Sequence, residues 1–267
     1  MAPPAFFVAG VRIHAIRLAD AVAIIDEWIH ARRADYIVLT GAHGIVEMQS
    51  DAELLAINNR AGLTTPDGMP VVWLGRLRGH SQVEKVYAPD VMAATFDFGV
   101  PRNYRHFLYG GDEGVADELA RKLRQRYPGI LIVGTYCPPF RPLEDREVET
   151  IAGLINDAAP DVVWVGIGCP KQERWMHRFR PLLRAPVLIG VGAGFDFLAG
   201  RKPLAPKWIQ RSGFEWLYRT LSEPKRLWPR YARVVPRFIS LAARDWLRSR
   251  GRQVDSSVEA GTRPDAR

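Results

Sequence analysis

The stretch VVWVGIGCPKQERWMHRF (162–179), followed after seven residues by VLIGVGAGFDFLAGRKPLAPKW (187–208), decides the fold class. In each, an apolar, β-branched run ends in a glycine-rich turn, as a buried parallel strand does when it hands the chain to a ligand-binding loop. Two such loops close in sequence imply one composite site at the carboxyl edge of a parallel sheet.

Upstream of these segments the same rhythm continues. RHFLYGG (105–111), a helix over 113–126, ILIVGTY (130–136) and a helix over 143–157 lead into DVVWVGIG (161–168) and a helix over 170–180. Nearer the start, FFVAGVRIHAI (6–16) reads as strand with a turn, LADAVAIIDEWIHARR (18–33) as helix and YIVLT (36–40) as buried strand. HGIVEMQSDAELLAINNRAG (43–62) reads as one helix closed by Gly62, and TTPDGMPVVWLGRLRG (64–79) opens on a Pro-Asp-Gly turn. Strands alternating with helices of ten or more residues predict an α/β fold with a mainly parallel sheet covered by helices on both faces.

The 267 residues, 47% hydrophobic and 25% charged, suit one sizeable core with an appendage. No apolar run approaches the roughly 18–20 residues of a membrane span, and the N-terminal stretch does not read as a signal peptide. Two cysteines, Cys137 and Cys169, without metal-type spacing leave the cytoplasm as the expected compartment. Charge is lopsided: residues 1–200 carry 21 Lys/Arg against 23 Asp/Glu, and residues 201–252 carry 14 against 3. A polyanion or anionic surface is therefore expected to meet the C-terminal segment rather than the body. On a helical wheel Arg219, Arg226, Arg230, Arg233, Arg237, Arg244 and Arg248 share an arc of roughly 60°, opposite Trp228, Tyr231, Val235, Phe238, Ala242 and Trp246. Pro224, Pro229 and Pro236 predict that this helix is broken into pieces. Such a segment is either a solvated basic face or an interfacial one meeting lipid headgroups or a diphosphate. The expected division is a core over 1–202, a basic helical appendage over 203–249 and a disordered tail over 250–267.

Several motifs carry chemistry. Thr40-Gly41-Ala42-His43 lies where a strand meets a helix at the ligand-binding edge, although a histidine there also serves as a surface or capping residue. In Thr65-Pro66-Asp67-Gly68 the carboxylate is either part of a tight turn or a group that takes a proton from an attacking hydroxyl. Gly110 and Gly111 allow close backbone approach by a nucleotide. Gly166-Ile167-Gly168-Cys169-Pro170-Lys171-Gln172-Glu173 offers Lys171 to a phosphate, and Gln172 and Glu173 to uracil or sugar hydroxyls. In Gly192-Ala193-Gly194-Phe195-Asp196-Phe197, Asp196 is either a buried structural acid or a ligand contact. The chain has no Asp-x-Asp metal anchor, Walker A loop, zinc spacing or nucleophile elbow, and its glycine loops do not match the dinucleotide fingerprint.

Together with Ala205-Pro206-Lys207-Trp208 and the run through Phe214-Glu215-Trp216-Leu217-Tyr218-Arg219, these motifs resemble the WecG/TagA/CpsF glycosyltransferase family, which builds bacterial surface polysaccharides. The resemblance spans about residues 6–235 and is strongest over 162–231. It implies a Rossmann-like core on the cytoplasmic face of the plasma membrane, peripherally bound. The implied reaction moves a sugar of N-acetylmannosamine, uronic-acid or glucose type from a UDP-sugar to a polyprenyl-diphosphate-linked glycan, inverting the anomeric carbon without cofactor or metal. Asp67 would be the base and Thr40 a second catalytic residue. His43, Gly110, Gly111, Gly168, Lys171, Gln172, Glu173, Gly194, Phe195 and Asp196 would bind UDP and substrate. Arg211, Arg219, Arg226, Arg230, Arg233 and Arg237 would meet the lipid diphosphate or the anionic membrane. Gly41 stands where the family commonly has Asn. Self-association stays open and no nucleic-acid partner is expected. The rival readings are a non-catalytic nucleotide-binding protein, and a nucleic-acid-binding protein using the basic segment.

Overall fold

The computed structural model describes residues 3–260. A small antiparallel hairpin, β1 (Ala5–Val8) and β2 (Val11–His14), precedes α1 (Leu18–His30). Then come β3 (Asp35–Thr40), α2 (Ala42–Met48), α3 (Ala52–Arg60), β4 (Leu63–Pro66), α4 (Met69–Leu77) and α5 (Ala88–Gly99). The second half runs β5 (Arg105–Gly110), α6 (Val115–Arg126), β6 (Leu131–Tyr136), α7 (Asp145–Asp157), β7 (Val162–Gly166), α8 (Lys171–Phe179), β8 (Val187–Gly190) and α9 (Gly194–Leu198). Helices α10 (Lys207–Ser212), α11 (Glu215–Ser222) and α12 (Pro224–Ala260) complete the described chain. Six strands form one parallel sheet in the order β4-β3-β8-β7-β5-β6, the α/β class read from the sequence.

Alternation along the strands builds a core on each face of the sheet. Ile37, Leu108, Trp164 and Ile189 point to one side, against Ile25 and Trp28 of α1, Met92 and Phe96 of α5 and Leu119 of α6. Val38, Phe107, Val163 and Leu188 point to the other, against Ile57 of α3, Ile151 of α7 and Met176 and Phe179 of α8. A third cluster joins the hairpin to α2, α4 and the C-terminal helix through Phe6, Ile13, Ile45, Val72, Val234 and Phe238.

Three local expectations need correcting. The helix expected over 43–62 is two helices, because Asp51 caps α3, accepting from the Leu54 amide at 2.9 Å, and is also held by Arg174 at 2.6 Å. The C-terminal helix is continuous through Pro229 and Pro236. Both prolines sit on its exposed side, where water can satisfy the carbonyls they leave free, and Pro224 occupies the first turn, where no amide is missed. Its buried seam is Leu227, Val234 and Phe238, one step round from the expected apolar face, and Trp228 is exposed. Residues 250–260, expected as part of a disordered tail, carry on α12, since extending a formed helix costs far less than starting one. Residues 261–267 lie outside the described residues.

Candidate active site

The carboxyl edge of the sheet gathers most of the motif residues. β5 leads to β6 on one side while β7 leads back to β8 on the other, so the chain diverges between β5 and β7, where open parallel sheets leave a crevice. The loops there press on each other: Gly111 N donates to Gly166 O at 3.0 Å, and a Cβ on Gly110 (φ +128°) would stand 2.6 Å from the Gly166 backbone. Gly110 therefore permits loop-on-loop packing. Beyond it Gly168 (φ +80°) faces open space.

Asp67 leaves the edge strand β4. Register pairs Thr40 with Pro66, so the Asp67 amide reaches the Thr40 carbonyl at 3.0 Å. A Cβ at Gly41 would lie 2.6 Å from the Asp67 carbonyl oxygen, which is the steric reason this chain has glycine there. Thr40 is buried and its hydroxyl donates to Asn58 Oδ1 at 2.8 Å. With its hydroxyl held by Asn58 and its carbonyl by the Asp67 amide, Thr40 braces the loop carrying Asp67.

Burial pushes the Asp67 carboxyl up to about 6. Lys85 and Arg219 pull the other way, while Glu215 and Asp90 add to the rise. Lys85 Nζ lies 2.5 Å from Glu215 Oε2 and 4.0 Å over the Tyr87 ring, and the Arg219 guanidinium lies 5.3 Å over Phe197. Arg219, expected to meet the lipid diphosphate or the membrane, lies within electrostatic reach of Asp67. Lys85 and Tyr87 were missed in the sequence, and Glu215 stood in the family-like run without a role, because no motif spacing links the three to Asp67. A carboxyl poised near neutrality beside two cations is suited to accept a proton.

A second feature adjoins it. His43, Glu47, Cys169, Pro170, Arg230 and Arg233 line an open cleft of about 360 Å³. Arg233 pairs with Glu47 at 2.5 Å and His43 Nε2 lies 3.6 Å from the same carboxylate. Burial, followed by Arg230, lowers the His43 pKa, which favours its neutral form. Two guanidiniums facing one carboxylate leave surplus positive charge, suited to a diphosphate.

The other expected contacts divide. Lys171 opens α8 with Nζ 4.2 Å over the Phe140 ring. Gln172 and Glu173 are buried, bonded to each other at 3.1 Å, and burial raises the Glu173 pKa. Gln172 Oε1 and Glu173 Oε2 have no hydrogen-bond partner among the described residues. Phe195 is 1% exposed and packs on Gly166, so it belongs to the floor beneath the site and not to a ligand-facing wall. Gly194 is likewise buried against α5, near Met92 and Ala88. Asp196 is tied to Lys202 by an ion pair, which favours its structural reading. Arg211 and Arg237 are exposed, and Arg226 pairs with Glu223 at 2.6 Å, away from the cleft. Among the described residues no group of three His, Cys, Asp or Glu is disposed to hold a metal ion.

The Glycosyl transferase WecG/TagA/CpsF family model matches residues 6–252. An N-acetylglucosaminyldiphosphoundecaprenol N-acetyl-beta-D-mannosaminyltransferase of Bacillus subtilis is 32% identical over 69% of this chain and 72% of its own length. Enzymes of the same name from Bacillus spizizenii, 29% identical over 80% of each chain, and Staphylococcus aureus, 29% identical over 65% of this chain and 66% of its own, are similar too.

Proposed function

The chain belongs to the WecG/TagA/CpsF family of glycosyltransferases, and from that premise we propose that it transfers an N-acetylmannosamine-type sugar from a UDP-sugar to a polyprenyl-diphosphate-linked N-acetylglucosamine acceptor. The acceptor and sugar follow the names of its relatives. The observation that carries the reading is the Asp67 carboxyl, held with a pKa near 6 beside Lys85 and Arg219.

In this mechanism Asp67 takes the proton of an acceptor hydroxyl as its oxygen attacks the anomeric carbon of the donor. The bond from that carbon to the diphosphate oxygen breaks, UDP leaves with the electron pair, and the configuration inverts. Charge developing on the leaving diphosphate would be met by Lys171 and the first turn of α8, while Arg230 and Arg233 suit the lipid diphosphate. Cations already supplied by side chains make a metal-independent transfer the expected chemistry.

No helix among the described residues is long and apolar enough to cross a membrane. Association with an anionic bilayer would instead use the appendage, where exposed Trp208, Phe214, Leu221 and Trp228 alternate with Lys207, Arg211, Lys225 and Arg226.

The test is a panel of UDP-sugars with a short-chain polyprenyl-diphosphate-N-acetylglucosamine acceptor, with and without EDTA. UDP release coupled to a disaccharide-lipid product, unchanged by EDTA, is expected. No product from any UDP-sugar would refute the donor class, and activity lost in EDTA and restored by Mg²⁺ or Mn²⁺ would refute metal independence.

A further inference from the structure

Glu215 opens α11, and the Lys85 ammonium lies 2.5 Å from its carboxylate although 130 residues separate the two. Both side chains are largely buried, Lys85 11% and Glu215 16% exposed. The same ammonium stands 4.0 Å over the ring of Tyr87. Lys85 is therefore held from two sides, by a carboxylate and by a π face. A charge pair so far removed from water stays together, because parting it leaves an uncompensated charge in a poor solvent.

Asp67 shares these surroundings without sharing the cation. Among the described residues no hydrogen bond or ion pair holds its carboxylate; the charged groups that bear on it are Lys85 from the segment before α5, Asp90 from α5, and Glu215 and Arg219 from α11. Glu215 and Arg219 are four residues apart, so they lie on one face of α11. Tyr87 and, from α12, Tyr231 complete the surroundings, and burial raises the pKa of both, which keeps them neutral. Asp90 is exposed, where water and salt screen it. The Lys85–Glu215 pair is thus the screened-from-water contact that decides how much positive charge Asp67 meets.

We propose that Glu215 is a positioning residue for the transfer: by engaging Lys85 it keeps the ammonium from pairing with Asp67, and leaves that carboxylate free to take the proton of the acceptor hydroxyl. This rests on the reading of Asp67 as the base. Released from Glu215, the flexible four-carbon stem of the lysine lets the ammonium turn to Asp67, and a carboxylate paired with a cation is a weaker base. The two members of the pair also act on Asp67 with opposite sign, Lys85 lowering its hold on a proton and Glu215 raising it.

The experiment records kcat/KM against pH for the full chain and for its Glu215→Gln, Lys85→Gln and double variants, and follows the Asp67 carboxyl in each by NMR. Glu215→Gln is expected to move the acid limb down by at least about half a pH unit and Lys85→Gln to move it up by as much, with the double variant between the two. The NMR titration of Asp67 should move in the same directions. The position of a limb does not depend on how much of a variant is folded, so lost stability cannot imitate this pattern. Limbs unmoved in both single variants, or moved the same way in both, overturn the positioning role alone. A wild-type profile without an acid limb, while NMR shows Asp67 titrating, overturns the reading of Asp67 as the base, and the positioning role with it.

Discussion

Asp67 is kept in surroundings that disfavour its charge, and this sets both a cost and a use. Its pKa is raised from 3.8 to about 6, so the folded chain holds the proton more tightly than the unfolded one. The penalty is absent below about pH 4, grows as pH rises through 6, and amounts to about 1–3 kcal/mol at neutral pH. Asp67→Asn is therefore expected to melt higher than wild type at pH 7.5, with the gap closing toward pH 4.5. As a base the same group works deprotonated, so kcat/KM should fall on the acid side with an apparent pKa near 6. Thermal melts at the two pH values and a pH–rate profile check this; a less stable Asn variant at pH 7.5, or an acid limb near 4, would contradict it. Asp67 was legible as a carboxylate on a Pro-Asp-Gly turn. Its neighbours were not, because Lys85 and Glu215 meet across 130 residues of chain, and nothing in the family-like run that contains Glu215 ties it to Asp67. Thr40 and Phe195 lie in motifs at the right edge, and the sequence does not show that both are buried there.

Among elements, α12 differs most from its sequence reading. Periodicity exposes the arginine stripe, yet the wheel cannot say which neighbouring face the body covers. Leu227, Val234 and Phe238 are buried, and the latter two complete a cluster with Phe6, Ile13, Ile45 and Val72. The division expected from the sequence sets residues 1–202 apart as the core. With α12 packed into this cluster, truncation after residue 202 should instead cost on the order of 5 kcal/mol, from the apolar surface left bare. Urea unfolding of the truncated chain tests this, and a stability equal to the full chain would show that α12 adds nothing to the fold. The outer side of the appendage is a separate matter. Trp208 and Trp228, 72% and 64% exposed, carry little of the fold. Replacing both with Ala should leave the melting temperature nearly unchanged and reduce partitioning onto anionic liposomes at least tenfold. Wild-type partitioning should weaken as salt rises, since exposed charges are screened over roughly 8–10 Å. Equal partitioning of the double variant would make this surface an ordinary solvated face.

For the whole molecule, the parallel sheet was legible because five of its six strands are continuous apolar runs separated by helices, a pattern with few other solutions. The sixth, β4, escaped notice: Leu63-Thr64-Thr65-Pro66 is short and rich in threonine, and it pairs along one side only, with β3. That strand matters most for chemistry, because it sets Asp67 against Thr40 and Gly41. Charge was legible as well, but its use was not. The basic C-terminal segment reads as a solvated face or as one meeting lipid headgroups or a diphosphate; folding brings Arg219 within electrostatic reach of Asp67 and Arg230 and Arg233 to the cleft, leaving Arg211 and Arg237 outside. One polypeptide thereby brings together a glycine-lined sheet edge, a carboxyl whose charge is disfavoured and a basic cleft. The most direct test of this arrangement measures, for wild type and Asp67→Asn side by side, both glycosyl transfer to the polyprenyl-diphosphate acceptor and UDP affinity. The expected result is turnover reduced at least about 10²-fold with UDP affinity within twofold of wild type. Turnover near the wild-type rate, or a loss of UDP binding as large as the loss of turnover, would contradict the assignment of Asp67 as the base.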